Sequence, residues 1–312
     1  MPTPLVAPLA GGVLSALFYV AMLYGGVGAL ILAYLAPLPL FLSGLWLGLT
    51  AAAIAGGTAA GLVLAATGSV TAVFGYALSA AVPAAFVVRQ SLLARPTADG
   101  GVEWYPPGLM LMGLTGFGIA AFFAAVAWTV GEPGGLQGVL RDTLEPLWRM
   151  LGSEDETSLA KTARLMPGLV VVSWLLMTII NGALAQGLLM RFNRNRRPPM
   201  RMTDVELPRW LPLVFTLAAG VAVLGDAVPD VAGFLALNVA LVLAVPFGFA
   251  GLAVVHAFAG WRKSRVALLV GFYLFLFLFG WPIAVVVGLG VIEQWIGLRR
   301  RWAKAGPDQE DE

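Results

Sequence analysis

The first 88 residues, Met1 to Val88, contain no charged side chain. No other feature constrains the fold as strongly. A water-soluble domain carries about 25% charged residues, and an uncharged run of this length cannot form its surface. Over the whole chain 12% of residues are charged and 59% are hydrophobic, with a mean hydropathy of +0.87. The solvent is therefore lipid. One helical crossing needs about 20 apolar residues, and the chain reads as an all-α, polytopic transmembrane bundle of about 8–10 membrane segments.

Charges mark where the crossings end. The uncharged intervals are 1–88, 104–131, 165–190, 210–225, 231–261 and 266–292. They predict segments near 5–24, 27–48, 49–68, 70–92, 107–130, 167–190, 211–228, 231–258, 266–280 and 282–298, in a single helical domain over 1–298. Gly25-Gly26 and Gly68-Ser69 are turn signals. The stretch "YLAPLPLFLSGLWLG", Tyr34 to Gly48, is harder to divide. Pro37 and Pro39 remove two backbone donors and disrupt a helix there. Either four crossings fill 1–88, or Val27–Pro39 is a broken or re-entrant segment followed by one long crossing, Leu40–Thr67. In hydrocarbon such a break survives only inside protein or beside a cavity. Pro246 and Pro282 are the corresponding breaks later in the chain.

The basic residues give an orientation. Arg89 with Arg95, six arginines in 191–209, Arg262 with Lys263 and Arg265, and the run Arg299 to Lys304 hold 15 of the 19 Lys and Arg. Alternate crossings put all four clusters on one side, the cytoplasmic one. The expected location is a bacterial inner membrane, multi-pass. This parity also requires two short helices in 266–298, turning at "GWP". Residues 131–166 then form an outward loop. In it Leu136, Leu140, Leu144, Leu147, Trp148 and Leu151 recur at helical spacing, which predicts an amphipathic helix that Pro146 can kink. "SEDE", Ser153 to Glu156, has the pattern of a capping box opening a second short helix that stops by Pro167. Residues 299–312, ending in "AGPDQEDE", read as a disordered cytoplasmic tail.

No catalytic constellation is visible. The chain has no cysteine and one histidine, no Walker A sequence and no zinc-binding pattern. The reading is of a protein that is not an enzyme and needs no metal and no cofactor. Polar residues inside crossings are costly in lipid and are the best leads. Asn181 and Gln186 in "MTIINGALAQG", Asn238 in "FLALNVALVLAVPFG" and His256 in "LAVVHAFAGWRK" are the candidate ligand-binding residues. Each has a structural alternative: helix-to-helix hydrogen bonding for the amides, and an interfacial anchor for His256. Glu293 is expected to reach a cytoplasmic arginine such as Arg299. Gly44/Gly48 and Gly57/Gly61 match the small-residue packing pattern of membrane helices. The bulky run Tyr273 to Trp281 suggests a surface facing lipid or a partner.

Three stretches, "LAPLPLFLSGLWLG", "NGALAQGLLMR" and "VVHAFAGWRKSRVALLVGFYLFLFLFGWP", resemble the YybS-like family of bacterial membrane proteins. That family is distantly similar to the S components of energy-coupling-factor transporters, compact helical bundles that bind a small ligand from outside. They depend on separate ATPase and scaffold subunits. The resemblance implies small-solute capture with membrane or ATPase partner subunits. It also implies that the break at Pro37 and Pro39 lies near an outward cavity. S components are usually shorter, with fewer crossings. The alternative reading is a membrane scaffold or assembly partner without a small ligand. The lipid bilayer is a partner in either case; the Arg-rich loop fits anionic headgroups, and no nucleic acid is expected.

Overall fold

A computed structural model describes residues 3–152 and 155–304. It is a bundle of helices, as the sequence predicts. Among the described residues seven helices are long and apolar enough to cross a membrane: Leu5–Tyr24, Val27–Leu47, Leu49–Thr67, Val70–Ser91, Pro107–Trp128, Glu156–Arg191 and Asp230–Gly260. Three shorter apolar helices, Leu211–Val223, Arg265–Phe279 and Pro282–Ile296, accompany them.

The chain starts with α1 (Thr3–Val20), then the joined pair α2 (Val27–Tyr34) and α3 (Pro37–Leu47), then α4 (Leu49–Thr67). The helix limits follow the four-crossing division of the uncharged run. Leu40–Thr67 is not one helix, because Gly48 sits at φ 108, a backbone conformation open to glycine and strained for other residues. The two prolines do not turn the chain back. Pro37 opens α3, where its missing N–H costs nothing. The backbone crosses the junction on tightened bonds of three-residue spacing: Leu35 N to Leu32 O, Ala36 N to Ala33 O and Leu38 N to Leu35 O.

After Ser69, whose hydroxyl accepts from Ala72 N at 3.2 Å, come α5 (Val70–Tyr76), a π-helical turn and α6 (Val82–Ser91). A two-stranded antiparallel hairpin follows, β1 (Ala94–Pro96) with β2 (Val102–Trp104). The sequence reading had no strand there. Next are α7 (Pro107–Trp128), α8 (Gly135–Met150), α9 (Glu156–Arg191), α10 (Leu211–Val223), α11 (Asp230–Gly260), α12 (Arg265–Phe279), α13 (Pro282–Ile296) and α14 (Leu298–Lys304).

Three expectations are corrected. The short helix expected to stop by Pro167 and the crossing after it are one 36-residue helix, α9. Its start is capped by Asp155, whose carboxylate accepts from the amides of Thr157 and Ser158; Ser153 and Glu154 lie outside the described residues. Pro246 does not break α11, which runs through it without interruption. A proline removes one donor, and here Val242, Val245, Phe247 and Ala250 are all buried around it, so packing holds the helix. Pro146, where a kink is expected, lies inside α8, and that expectation is not among those corrected. Residues 299–304, expected in the tail, are helical. Gly297 turns the chain in a left-handed conformation and its carbonyl receives Arg301 N. The remainder of the tail, 305–312, lies outside the described residues.

The contacts divide the predicted single domain into two compact units, Met1–Met110 with Ser173–Met200 and Leu111–Val172 with Arg201–Glu312. In the first, α1 packs on α4 and α3 lies against α1, α4 and α6. Its core holds Leu40, Phe41, Val63, Tyr76 and Val88. In the second, α11 packs most extensively on α13 and then α10. The α11–α13 contact is backbone to backbone. A methyl group at Gly251 would collide with the Val286 carbonyl, and one at Gly290 with the Phe247 carbonyl.

Candidate functional site

A proline inside a helix leaves the carbonyl four residues earlier without its amide partner. In lipid that carbonyl needs another donor. Pro83 does this to Ser79, and the Trp174 indole N–H donates to the Ser79 carbonyl at 2.9 Å. At the α2–α3 junction Leu38 N turns to Leu35 O, and the Tyr34 carbonyl receives Asn181 Nδ2 at 2.7 Å. Ser15 Oγ donates to the Ala36 carbonyl at 2.7 Å. With its one proton committed there, Ser15 accepts from the buried Tyr76 hydroxyl, also at 2.7 Å. The space beside Pro37 and Pro39 is thus filled by packed side chains from α1, α5 and α9.

Asn238 performs the same task in the second unit. Its Nδ2 donates to the carbonyls of Arg164 and Phe234, and its Oδ1 accepts from Gly168 N at 2.6 Å. Arg164 O and Gly168 N stand four residues apart, the two ends of one helical rung. Asn238 bridges them from α11, next to Pro167. It is fully buried, and a Cβ at 168 would lie 2.8 Å from Asn238 Oδ1, so a side chain there would displace this amide.

Of the four candidate ligand residues, Asn181 and Gln186 lie in the first unit and Asn238 and His256 in the second. Asn181 and Asn238 are buried helix-to-helix bonds in different units, though Asn181 Oδ1 has no donor among the described residues. Gln186 is half-buried and donates to the Pro198 carbonyl at 3.1 Å. His256 is half-buried near the end of α11, with Nε2 2.9 Å from the Tyr273 hydroxyl. Sequence alone passed over Ser15, Tyr76 and Trp174. Pro83, four residues downstream, flags the Ser79 carbonyl, but nothing local flags the Tyr34 and Ala36 carbonyls or the side chains that reach them.

Polar-lined cavities lie at helix ends of the second unit. One, about 790 Å3 and open, is lined by Arg201, Thr203, His256, Trp261 and Arg265, with Met202, Ala257 and Gly260. The segment Met202–Val205, whose Met202 and Thr203 line it, is held by Arg299. Arg299 donates to the carbonyls of Thr203 and Val205 at 2.6 and 2.9 Å and to Glu293 Oε1 at 2.8 Å. Glu293 thus does pair with Arg299, and both are largely buried. Another cavity, about 360 Å3, lies between α8 and the start of α9, beside Arg141, Glu145, Trp148, Arg149, Asp155 and Glu156. Arg141 pairs with Glu156 and Arg149 with Glu145. The Ser158 hydroxyl and amide hold the Asp155 carboxyl below the usual carboxylate range. Among the described residues no cluster of three or more His, Cys, Asp or Glu is placed to hold a metal ion.

This arrangement defines a polytopic helical membrane protein whose intramembrane polar residues mainly close backbone gaps. The family model described as "Predicted membrane protein (DUF2232)" matches residues 144–293, from within α8 to within α13, and the chain is similar to that family over those residues. Two of the three stretches that resemble the YybS-like family fall inside this match; the proline-rich one lies before it. No curated protein matches the chain, and no solved structure matches it.

Proposed function

We propose that this chain is a transport-related membrane protein that captures a small polar solute beneath α8. The observation that carries the reading is the cavity between α8 and the start of α9. Its volume of about 360 Å3 is within the range of small-molecule sites. Guanidinium and carboxylate groups line it together, a combination suited to a zwitterion. Trp148 Nε1 is buried there without an acceptor among the described residues, so a solute oxygen would give it one. The positive-inside rule places α8 on the outer face. The resemblance to S components supports capture from that face, with ATPase and scaffold subunits as partners and no covalent chemistry in this chain.

The test is thermal unfolding of the detergent-purified chain against a panel of zwitterionic, anionic and cationic solutes. A ligand at one hundred times its Kd stabilises by about 2.7 kcal/mol. We expect one zwitterionic class to raise Tm, and R141A with W148F to abolish the shift. A panel without effect sinks the proposal. A shift that survives both substitutions would move capture away from this cavity and overturn the assignment.

A second reading, a membrane assembly partner without a small ligand, has one observation in its favour. No residue of α12 is buried, and Phe275, Phe277 and Phe279 are exposed, so part of that helix presents an aromatic surface. Crosslinking in native membranes would then recover a stoichiometric partner at Phe277 or Trp281. A chain that crosslinks only to lipid would count against this reading.

A further inference from the structure

The cavity around His256 is continuous in chemistry with a second one. Along α12 lies an open groove of about 590 Å3, lined by Arg265, Val266, Leu269, Val270, Tyr273 and Leu274. Arg265 borders both spaces. The His256–Tyr273 hydrogen bond joins one wall of the first to one wall of the second. The first space offers guanidinium groups, a hydroxyl, an imidazole and an indole. The second offers aliphatic side chains: Val266, Val270 and Leu274 recur every four residues and so form one stripe, about 12 Å long at 1.5 Å per residue.

We infer that these two spaces form a single binding site for an anionic phospholipid. The phosphodiester lies between Arg201 and Arg265, and one acyl chain runs down the α12 groove. Charge complementarity selects the head. Among the described residues no carboxylate lines the cavity; the nearest in sequence, Asp204, takes the Thr203 hydroxyl at 3.4 Å. Arg262 is engaged elsewhere, stacked over Phe258. The start of α12 adds the positive end of a helix dipole. Polarity selects the tail, since a wholly polar solute would leave the groove empty and an uncharged lipid would leave two guanidinium groups without a counter-charge. Both Arg201 and Arg265 are exposed, so a lipid diffusing in the leaflet can reach them. This site is separate from the cavity beneath α8 and does not depend on solute capture.

Native mass spectrometry of the delipidated full chain tests the inference, with dioctanoyl phosphatidylglycerol, dioctanoyl phosphatidylcholine and inorganic phosphate as probes. Phosphatidylglycerol should bind saturably and more tightly than phosphatidylcholine. R201A with R265A should weaken it by about thirtyfold, on the order of fivefold per basic residue near a membrane surface. L269W should weaken it by filling the groove while leaving both arginines in place. If the double variant unfolds early in the same detergent, R265Q alone carries the test, with a loss of about fivefold. Equal binding of the two lipids, or binding indifferent to the arginines, would overturn the site. Phosphate that competes as well as phosphatidylglycerol would assign the head cavity to a free anion and overturn the lipid. The solute panel does not report on these variants, so failure of one proposal leaves the other standing.

Discussion

Asn238 and Asn181 show what a polar side chain inside this bundle does. Each stood out in the sequence because an unsatisfied amide in hydrocarbon is costly. Sequence could not say whether the partner was a ligand or a neighbouring helix. The answer depends on which backbone groups lie opposite, and those are brought in from 147 and 70 residues away. N238A should destabilise by about 1–3 kcal/mol, because it strands both Arg164 O and Gly168 N. That exceeds the average of about 0.6 kcal/mol for one hydrogen bond between membrane helices. Unfolding of the variant in mixed micelles checks it; a loss near that average would show that Asn238 does not bridge the rung. R299A should cost about 3–5 kcal/mol by leaving Glu293 buried without its counter-charge. Amide exchange in 202–205 should rise with it, and unchanged exchange there would show that Arg299 does not hold that segment.

Helices and their ends were legible to different degrees. Uncharged runs marked most crossings, since a charge rarely enters lipid unpaired. The glycine patterns were a poorer guide. Gly44 does lie against Val88 and Ala52, but a Cβ at Gly57 or Gly61 would meet no described neighbour within 4 Å, and among the described glycines the tightest sites are Gly251 and Gly290. Spacing within one helix identifies a small-residue face without identifying what packs on it. G251A or G290A should each cost about 1–3 kcal/mol by overpacking, and G57A should be neutral or stabilising, as Ala is the better helix former; a thermal-unfolding series separates the three. The α9 cap is an element with a pH dependence. The Asp155 carboxyl is held below its ordinary range by Ser158. Its contribution is therefore complete above the unfolded-state pKa and is lost as pH falls through the lowered folded value. Amide exchange at Thr157 and Ser158 should accelerate only at acid pH, and in D155A it should already be fast at neutral pH.

For the whole molecule, the absence of native cysteines makes orientation directly measurable. Single cysteines at Gln137, Asn193 and Lys263 can be labelled with an impermeant maleimide. Position 137 should react on intact cells, and 193 and 263 only after permeabilisation. Any other pattern would break the positive-inside assignment and with it the outward placement of the α8 cavity. The sequence by itself determined the solvent, the helical class and most of the crossings, because burying charge and unpaired backbone in lipid is prohibited locally, residue by residue. Tertiary structure alone decided that the Pro37–Pro39 junction is sealed by Ser15, Tyr76 and Asn181. It also decided that α9 runs past Pro167 and that arginines distant in the chain share a cavity with His256. Those outcomes depend on which carbonyl meets which donor across the bundle, and a one-dimensional pattern of polarity carries no information about that pairing.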